Sequence, residues 1–146
     1  MAVTRHEELR VYREGFRAAM RIFEASQGWP KDEKYSLTDQ IRRSSRSVCA
    51  NVAEAWRKRR YEKHFVSKLS DADAEAAAET RTWLRFANQC GYLADDNFDD
   101  LDETYDQLCA GLVSMMKNAQ SWCGPSKLRE PPAPYEANGA AAPDTR

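Results

Sequence analysis

Proline is nearly absent from the first 123 residues of this 146-residue chain, where Pro30 stands alone and only four glycines occur. Because proline breaks helices and glycine favours turns, their scarcity predicts long helices there. The other five prolines follow Gly124, together with Gly139 and several alanines. A segment of that composition buries too little apolar surface to order itself. We therefore expect one helical domain at 1–123 and a flexible tail at 124–146.

Long hydrophobic runs are also missing. No stretch approaches the roughly 18 apolar residues that a membrane span needs. Charged side chains occur throughout the first 30 residues, which is untypical of a signal peptide. The four cysteines form no C-x-x-C pair, a pattern typical of reduced, buried thiols. These absences predict a cytoplasmic protein without membrane contact.

The signatures of catalysis and metal binding are absent as well. Neither His6 nor His64 has a glutamate three residues before it, so the Glu-x-x-His pairs of di-iron bundles are missing. There is no glycine-rich phosphate loop, no G-x-S-x-G elbow and no Cys/His pair with an orienting carboxylate. Glu75 and Glu79 are spaced i and i+4, but carboxylates alone more often pair with arginines than hold a metal. We expect no enzyme activity, no metal and no cofactor.

Apolar residues spaced by three and four predict four amphipathic helices at about 5–26, 36–58, 61–90 and 95–122. The residues expected to face inward are Leu9, Tyr12, Phe16, Ala19, Met20 and Phe23 in the first helix; Leu37, Ile41, Val48, Val52 and Ala55 in the second; Phe65, Leu69, Ala72, Ala76, Trp83, Ala87 and Cys90 in the third; and Phe98, Leu101, Tyr105, Leu108, Leu112, Met116 and Ala119 in the fourth. Ser36 and Asp39 predict a capped start of the second helix, and Gly91 a left-handed end of the third. Four such helices with short links predict an all-α, antiparallel up-down four-helix bundle.

The stretch SVCANVAEA at residues 47–55 resembles the signature S-I-P-S-N-I-A-E-G of a bacterial four-helix-bundle family encoded in intervening sequences of 23S ribosomal RNA genes. The likeness extends over about residues 7–120, through EELRVYREG, YSLTDQIRRSSRS and the stretch from KHFVSK to CGYL. The positions that match the family are Ser47, Asn51, Ala53, Glu54 and Glu79. Cys49 and Ala55 replace the usual proline and glycine, so the second helix is expected to run on more smoothly.

The resemblance implies a homopentamer of bundles around a central axis, with nucleic-acid binding and no known catalysis. Relatives of that family include the accessory subunit of diversity-generating retroelements, which is a partner of a reverse transcriptase and RNA. A protein partner of that kind is therefore a second implied possibility. The matched Glu54 and Glu79 are candidates for pairs between helices or subunits, for instance with Arg43 or Arg81.

Charge is strongly segregated although the formal net charge is only −1. Residues 39–64 hold eight basic and three acidic side chains, whereas residues 95–106 hold seven acidic and no basic ones. The basic residues are Arg42, Arg43, Arg46, Arg57, Lys58, Arg59, Arg60 and Lys63. On a helical wheel Arg42, Arg46, Arg57 and Arg60 share the side away from the core, while Arg59 would be buried. A helix end near Lys58, followed by a basic corner, is therefore predicted.

Three interpretations of this basic run remain open. It is a solvated helix face, or a surface for RNA or DNA phosphates, to which arginine is well suited. In the third interpretation it docks against the acidic start of the fourth helix of a neighbouring subunit. Trp56, Tyr61 and His64 lie among the cations, where aromatic rings either stack on bases or pack in the core.

Overall fold

The computed structural model describes residues 2–123, and all regular elements in that range are helices. The α-helices are α1 (Arg10–Ala25), α2 (Asp39–Arg57), α3 (Glu62–Ser70), α4 (Ala78–Gln89), α5 (Asp95–Lys117) and α6 (Ala119–Cys123). Short 3₁₀ turns occupy His6–Glu8, Ser26–Gly28 and Lys31–Glu33, and π-helical segments occupy Lys34–Thr38 and Asp71–Ala77. The all-α prediction is confirmed. The predicted tail at 124–146 lies outside the described residues.

The helices contact one another in a closed order. α1 packs against α2 and α5, and α2 packs against α3, the second π-helical segment and α4. α5 completes the circuit by packing against α3 and α4 as well as α1. The α1–α2 pair and the α4–α5 pair therefore form two different sides of the molecule.

The core lies between these helices and confirms the inward faces predicted for the second and fourth helices. All five expected residues of the second helix are buried, as are Leu101, Tyr105, Leu108, Leu112 and Ala119 of the fourth. Phe98 and Met116 are half-buried at the margin of the core. No helix within residues 2–123 is long and apolar enough to cross a membrane.

The inward face predicted for the first helix is wrong for Phe16 and Met20, although Leu9 and Ala19 are buried as expected and Tyr12 and Phe23 are half-buried. Phe16 and Met20 are 52% and 43% exposed. The buried face consists of Leu9, Val11, Gly15, Ala18, Ala19 and Ile22. The small residues decide the orientation, because a Cβ at Gly15 would stand 3.4 Å from both Cys49 Sγ and Val48 Cγ1. Close approach of α2 is possible only on this slim side.

The third predicted helix is continuous from Glu62 to Gln89, but its inward face changes within the π-helical segment. Cys90 is exposed and was wrongly expected inside, whereas Trp83 is half-buried against the core. The other five predicted residues are buried as expected, namely Phe65, Leu69, Ala72, Ala76 and Ala87. The buried residues after the segment are Ala77, Thr80, Leu84 and Ala87. A π turn contains an additional residue, which rotates everything after it by about 100° relative to a regular helix.

Two of the predicted helix boundaries are confirmed and one is wrong. Gly91 adopts φ +85°, the left-handed conformation expected at the end of α4. α2 ends at Arg57 with Lys58 as its C-cap, as predicted. Ser36 caps nothing, because helical turns begin before it at Lys34 and its hydroxyl donates to the Glu33 carboxylate at 2.8 Å.

No disulfide joins the four cysteines within residues 2–123, and the expectation that all are buried is only partly right. Cys49 and Cys123 are buried, Cys109 is half-buried and Cys90 is exposed. Burial raises the pKa of the Cys49 thiol to about 11.

Candidate nucleic-acid interface

The basic run forms two clusters, one on the first half of α2 and one at its end, and the apolar face of the helix lies in the core. The helix cluster contains Arg42, Arg43 and Arg46, and the corner cluster contains Arg57, Lys58, Arg59, Arg60 and Lys63. Fourteen residues separate Arg43 from Arg57, a distance of about 20 Å along the helix axis. Ala50, Ala53 and Glu54 occupy the outer side of α2 between the clusters.

Within the helix cluster the three arginines have different environments. Arg42 bends towards α1, where its Nε donates to Ser26 Oγ at 2.8 Å and its Nη2 donates to the Phe23 carbonyl at 3.3 Å. Its guanidinium also lies 4.7 Å from the centre of the Phe23 ring. Arg46 is exposed and 5.7 Å from the same ring, whereas Arg43 is exposed with no such contact. Arg42 therefore secures α1 to α2, and Arg43 and Arg46 face solvent.

The corner cluster occupies the turn between α2 and α3. The backbone N–H of Lys58 donates to the Glu54 and Ala55 carbonyls, and the N–H of Tyr61 donates to the Lys58 carbonyl at 3.0 Å. Arg59 folds back onto the Trp56 ring at 3.8 Å and donates to the Trp56 carbonyl at 2.7 Å. The guanidinium of this residue thus closes the corner instead of extending into solvent.

Six cations of the two clusters are exposed, and four of them also lack the aromatic-ring contacts that Arg46 and Arg60 make. Arg43, Arg57, Lys58 and Lys63 are exposed, and none of them forms an ion pair or a side-chain hydrogen bond within the described part of the chain. Arg60 is also exposed and lies 5.6 Å from the Tyr61 ring. These side chains can accept an anionic partner without breaking an ion pair of their own.

The matched signature residues serve the helix itself. Asn51 Nδ2 donates to the Ser47 carbonyl at 3.0 Å and to Ser47 Oγ at 3.1 Å, one turn earlier in α2. Ala53 is half-buried. Cys49 and Ala55 lie within unbroken α-helix, and the Cys49 thiol donates to the Tyr12 carbonyl of α1 at 3.6 Å. The expected smooth course of the second helix is therefore observed.

The two matched glutamates have partners other than the suggested arginines. Glu54 Oε1 pairs with Lys68 Nζ across to α3 at 2.8 Å. The hydrogen bond between Lys68 and Glu54 lowers the pKa of Glu54 and raises the pKa of Lys68. Glu79 accepts a hydrogen bond from Trp83 Nε1 at 3.2 Å within α4. Glu54 is thus an interhelix pair, as expected, but not with Arg43.

The acidic start of α5 is partly neutralised by the chain's own arginines. Arg81 of α4 donates to both carboxylate oxygens of Asp102, at 2.9 and 3.2 Å, and to Asp106 at 3.2 Å. These hydrogen bonds raise the pKa of Arg81 well above its ordinary value. Arg21 of α1 reaches Asp100 at 2.8 Å. Among the described side chains no group of three or more His, Cys, Asp or Glu residues could hold a metal ion.

A surface feature that the sequence analysis missed lies between α4 and α5. It is a groove of about 420 Å³ lined by Arg81, Thr82, Arg85, Phe86, Gln89 and Asp102. Phe86 is 54% exposed and its ring lies 6.0 Å from that of Trp83. Phe86 fits none of the predicted apolar stripes, and that departure was the available sign that it belongs to the surface.

The chain is similar to known proteins in sequence and in structure. Residues 7–114 match the family described as 23S rRNA-intervening sequence protein. The chain is also similar to the crystal structure of a protein with unknown function from the S23 ribosomal protein family of Bacteroides thetaiotaomicron, with 25% identity and a TM-score of 0.65. That similarity covers 73% of this chain and 95% of the other. No curated protein matches the chain.

Proposed function

The chain belongs to the 23S rRNA-intervening sequence protein family, and from that premise we propose that it is a non-catalytic, homo-oligomeric protein that binds structured RNA. The RNA-binding surface is formed by the exposed cations of α2 and of the corner that follows it. The proposed oligomer is a pentamer, as the resemblance in the sequence implies.

The proposed arrangement of each subunit is an antiparallel up-down four-helix bundle, in which α3, the π-helical segment and α4 together make the third rod. The closed order of helix contacts supports it, since each rod packs against its two neighbours. Short links between consecutive rods are typical of antiparallel neighbours. In such a bundle α2 is held rigidly, with its outer side open to a partner.

The observation that carries the RNA proposal is the set of four unpaired cations, Arg43, Arg57, Lys58 and Lys63. Binding a phosphate at these positions breaks no ion pair of the protein, so the favourable release of counterions from RNA is not offset by a lost internal contact. Guanidinium groups match phosphate oxygens in a two-pronged geometry, and lysine supplies point charges. In contrast, Arg42 and Arg59 are held by their own chain.

The spacing of the clusters favours an extended or folded RNA over a small anion. About 20 Å of rigid helix separates Arg43 from the corner, so one phosphate group cannot contact both. A structured RNA presents phosphates at both positions simultaneously. Repetition of the surface around an oligomer raises the effective concentration for a multivalent ligand.

The test is RNA binding at several salt concentrations with matched charge variants. One variant replaces Arg43, Arg57, Lys58 and Lys63 with glutamine. The control replaces four other exposed cations with glutamine, namely Arg17, Lys31, Lys34 and Lys117, so both variants lose four positive charges. We expect the first variant alone to reduce the slope of log K against log salt by about 3, because each lost phosphate contact removes roughly 0.7–0.9.

Equal weakening by both variants would show a general charge effect and contradict the assigned surface. Failure of the unmodified protein to bind any structured RNA or duplex DNA at low salt would overturn the function itself. Circular dichroism checks that both variants keep their helical content, which is expected since all eight positions are exposed.

A second candidate function is that of an assembly scaffold or accessory subunit for a protein partner such as a reverse transcriptase. The exposed apolar side chains of Phe16 and Met20 on α1, and of Phe86 on α4, favour it, since exposed apolar patches mark protein contacts. Under this alternative the protein itself binds no RNA, so substitution of the cations has no effect on RNA binding. The mass of the mixture with the purified partner, measured by light scattering, would change instead.

A further inference from the structure

Two exposed apolar surfaces lie on different sides of the molecule, one on α1 and one between α4 and α5. We propose that the α1 stripe, defined as Tyr12, Phe16 and Met20, docks into the α4–α5 groove of a second copy of this chain. This inference rests on the proposed homo-oligomer and identifies the two faces that form it. The contact is heterologous, because each copy offers a different face to each of its neighbours.

The α1 stripe follows from the slim inward face of that helix. Tyr12, Phe16 and Met20 are spaced by four, so they lie one above the other on the same side of α1. The rings of Tyr12 and Phe16 are 6.1 Å apart. Phe23, one turn further along, contacts Arg42 and Arg46, so the stripe borders α2. Within the described part of the chain Phe16 remains 52% exposed and Met20 43% exposed.

The α4–α5 groove is suited to apolar side chains. One wall is the exposed ring of Phe86, and the floor is formed by Arg81 with its partner Asp102. The guanidinium of Arg81 is occupied by Asp102 and Asp106. Arg85 lies 5.5 Å from the Phe98 ring on α5. A recess with an exposed aromatic ring, in which Arg81 and Asp102 pair with each other, can bury the side chains of Phe16 and Met20.

The charges beside the two surfaces are complementary, and they indicate a second copy as the occupant. On α2, Arg46 lies 5.7 Å from the Phe23 ring at the end of the stripe, and Arg43 is exposed on the same helix. On α5 next to the groove, the carboxylates of Asp95 and Asp99 are exposed and one turn apart, whereas Asp102 and Asp106 are held by Arg81. Asp102 lines the groove itself. Docking the stripe into the groove brings the arginine row towards the carboxylate row.

Symmetric pairing of like surfaces lacks this complementarity. Two α1 stripes facing each other would bring two arginine rows together, and two grooves would bring two carboxylate rows together. Like charges placed opposite each other oppose association and select against such partners. A contact between different faces closes into a ring when the rotation between copies permits, and otherwise extends into a filament. The proposed pentamer is one of the closed forms.

Two variants and their mixture test the assignment. The stripe variant carries Phe16→Asp and Met20→Asp, and the groove variant carries Phe86→Asp. All three side chains are between 43% and 54% exposed in the single chain, so the substitutions are compatible with folding. The control is Tyr35→Asp, which removes an aromatic ring that is 74% exposed at a different site. Masses are measured by light scattering at a series of protein concentrations.

We expect each interface variant alone to have the 16.7 kDa mass of one chain, and the control to keep the mass of the unmodified oligomer. The mixture should form a one-to-one dimer and nothing larger, because one intact stripe meets one intact groove and both remaining faces are blocked. Raised salt should dissociate this dimer, since the flanking charges contribute to it.

The possible contrary results separate the two proposals. A stripe variant that is monomeric beside a groove variant that still assembles would overturn the heterologous contact, as would a mixture that stays monomeric. If both variants keep the full oligomer, these faces are wrong although the homo-oligomer stands. If the unmodified protein is itself monomeric at high concentration, the homo-oligomer fails and this inference fails with it.

Discussion

At the scale of single residues, Gly111 marks the closest approach of α5 to α1. A Cβ added at Gly111 would stand 2.9 Å from Val11 Cγ1 and 2.9 Å from Arg10 Nη2. The arginine end can swing away, but Val11 is 2% exposed and β-branched, so its methyl group cannot. Gly15 on α1 is different, because its nearest neighbours would stand at 3.4 Å, which is ordinary contact.

The two glycines therefore predict opposite effects of the same substitution. Gly111→Ala should lower the free energy of unfolding by about 1–2 kcal/mol, since overpacking outweighs the gain in helix propensity of about 1 kcal/mol. Gly15→Ala should leave it unchanged or raise it by up to about 1 kcal/mol, because the propensity gain meets no clash. Urea unfolding followed by circular dichroism measures both. Equal effects at the two positions would contradict the packing described for α1.

The arginines show what residue type alone can and cannot predict. Their position on the outer side of α2 follows from the helical period, and so does the end of the helix at Lys58. The wheel does not show that Arg42 reaches Ser26, sixteen residues away, or that Arg59 folds onto Trp56. Those contacts depend on the angle at which α1 and the corner meet α2. Only the packed structure therefore separates the exposed cations from those engaged within the chain.

At the scale of elements, the π-helical segment Asp71–Ala77 accounts for the error in the inward face of the third helix. Before it the buried residues include Phe65, Leu69 and Ala72, and after it they include Thr80 and Leu84. A regular helix through all these positions would move the second group partly out of the core. The alanine-rich sequence contains no proline or glycine to signal the change, so a wheel of constant period cannot detect it.

The π-helical geometry of Asp71–Ala77 predicts that one residue of this segment can be deleted without loss of the fold. Removal of Ala74, which is exposed, turns the π-helical segment into regular α-helix and keeps both inward groups on one side. Removal of the exposed Thr82 from α4 instead rotates the following turns by about 100° and turns the buried Ala87 out of phase with Thr80. We expect cooperative thermal unfolding for the first deletion and its loss for the second. Failure of the Ala74 deletion to fold, beside a stable Thr82 deletion, would contradict this account.

At the scale of the whole molecule, the sequence predicts more about the rods than about their mutual orientation. Length, proline placement and the three-and-four spacing determine where the helices lie, and the stretch at 47–55 predicts the family that the match over residues 7–114 confirms. The face of α1 that points inward could not be predicted from hydrophobicity. Phe16 and Met20 are more apolar than Gly15 and Ala18, but close packing favours the slimmer side. The α4–α5 groove likewise forms only when α4 packs against α5, and the apolar pattern of neither helix predicts it.

The four thiols provide a measure of the stability of the whole fold. Cys90 is exposed, whereas burial raises the pKa of Cys49 to about 11. Burial, together with a smaller effect of the nearby Asp73, raises the pKa of Cys109 to about 12. Because the thiolate is the reactive form, a rise of about two pKa units leaves roughly a hundredth as much of it at pH 8.

We expect one fast thiol per chain with a disulfide reagent, and Cys90→Ser should remove that phase. Cys49 lies between α1 and α2, so it should react only as fast as the folded molecule opens, and urea that unfolds the protein should release all four thiols together. Two or more fast thiols in the folded protein would contradict this packing of the core.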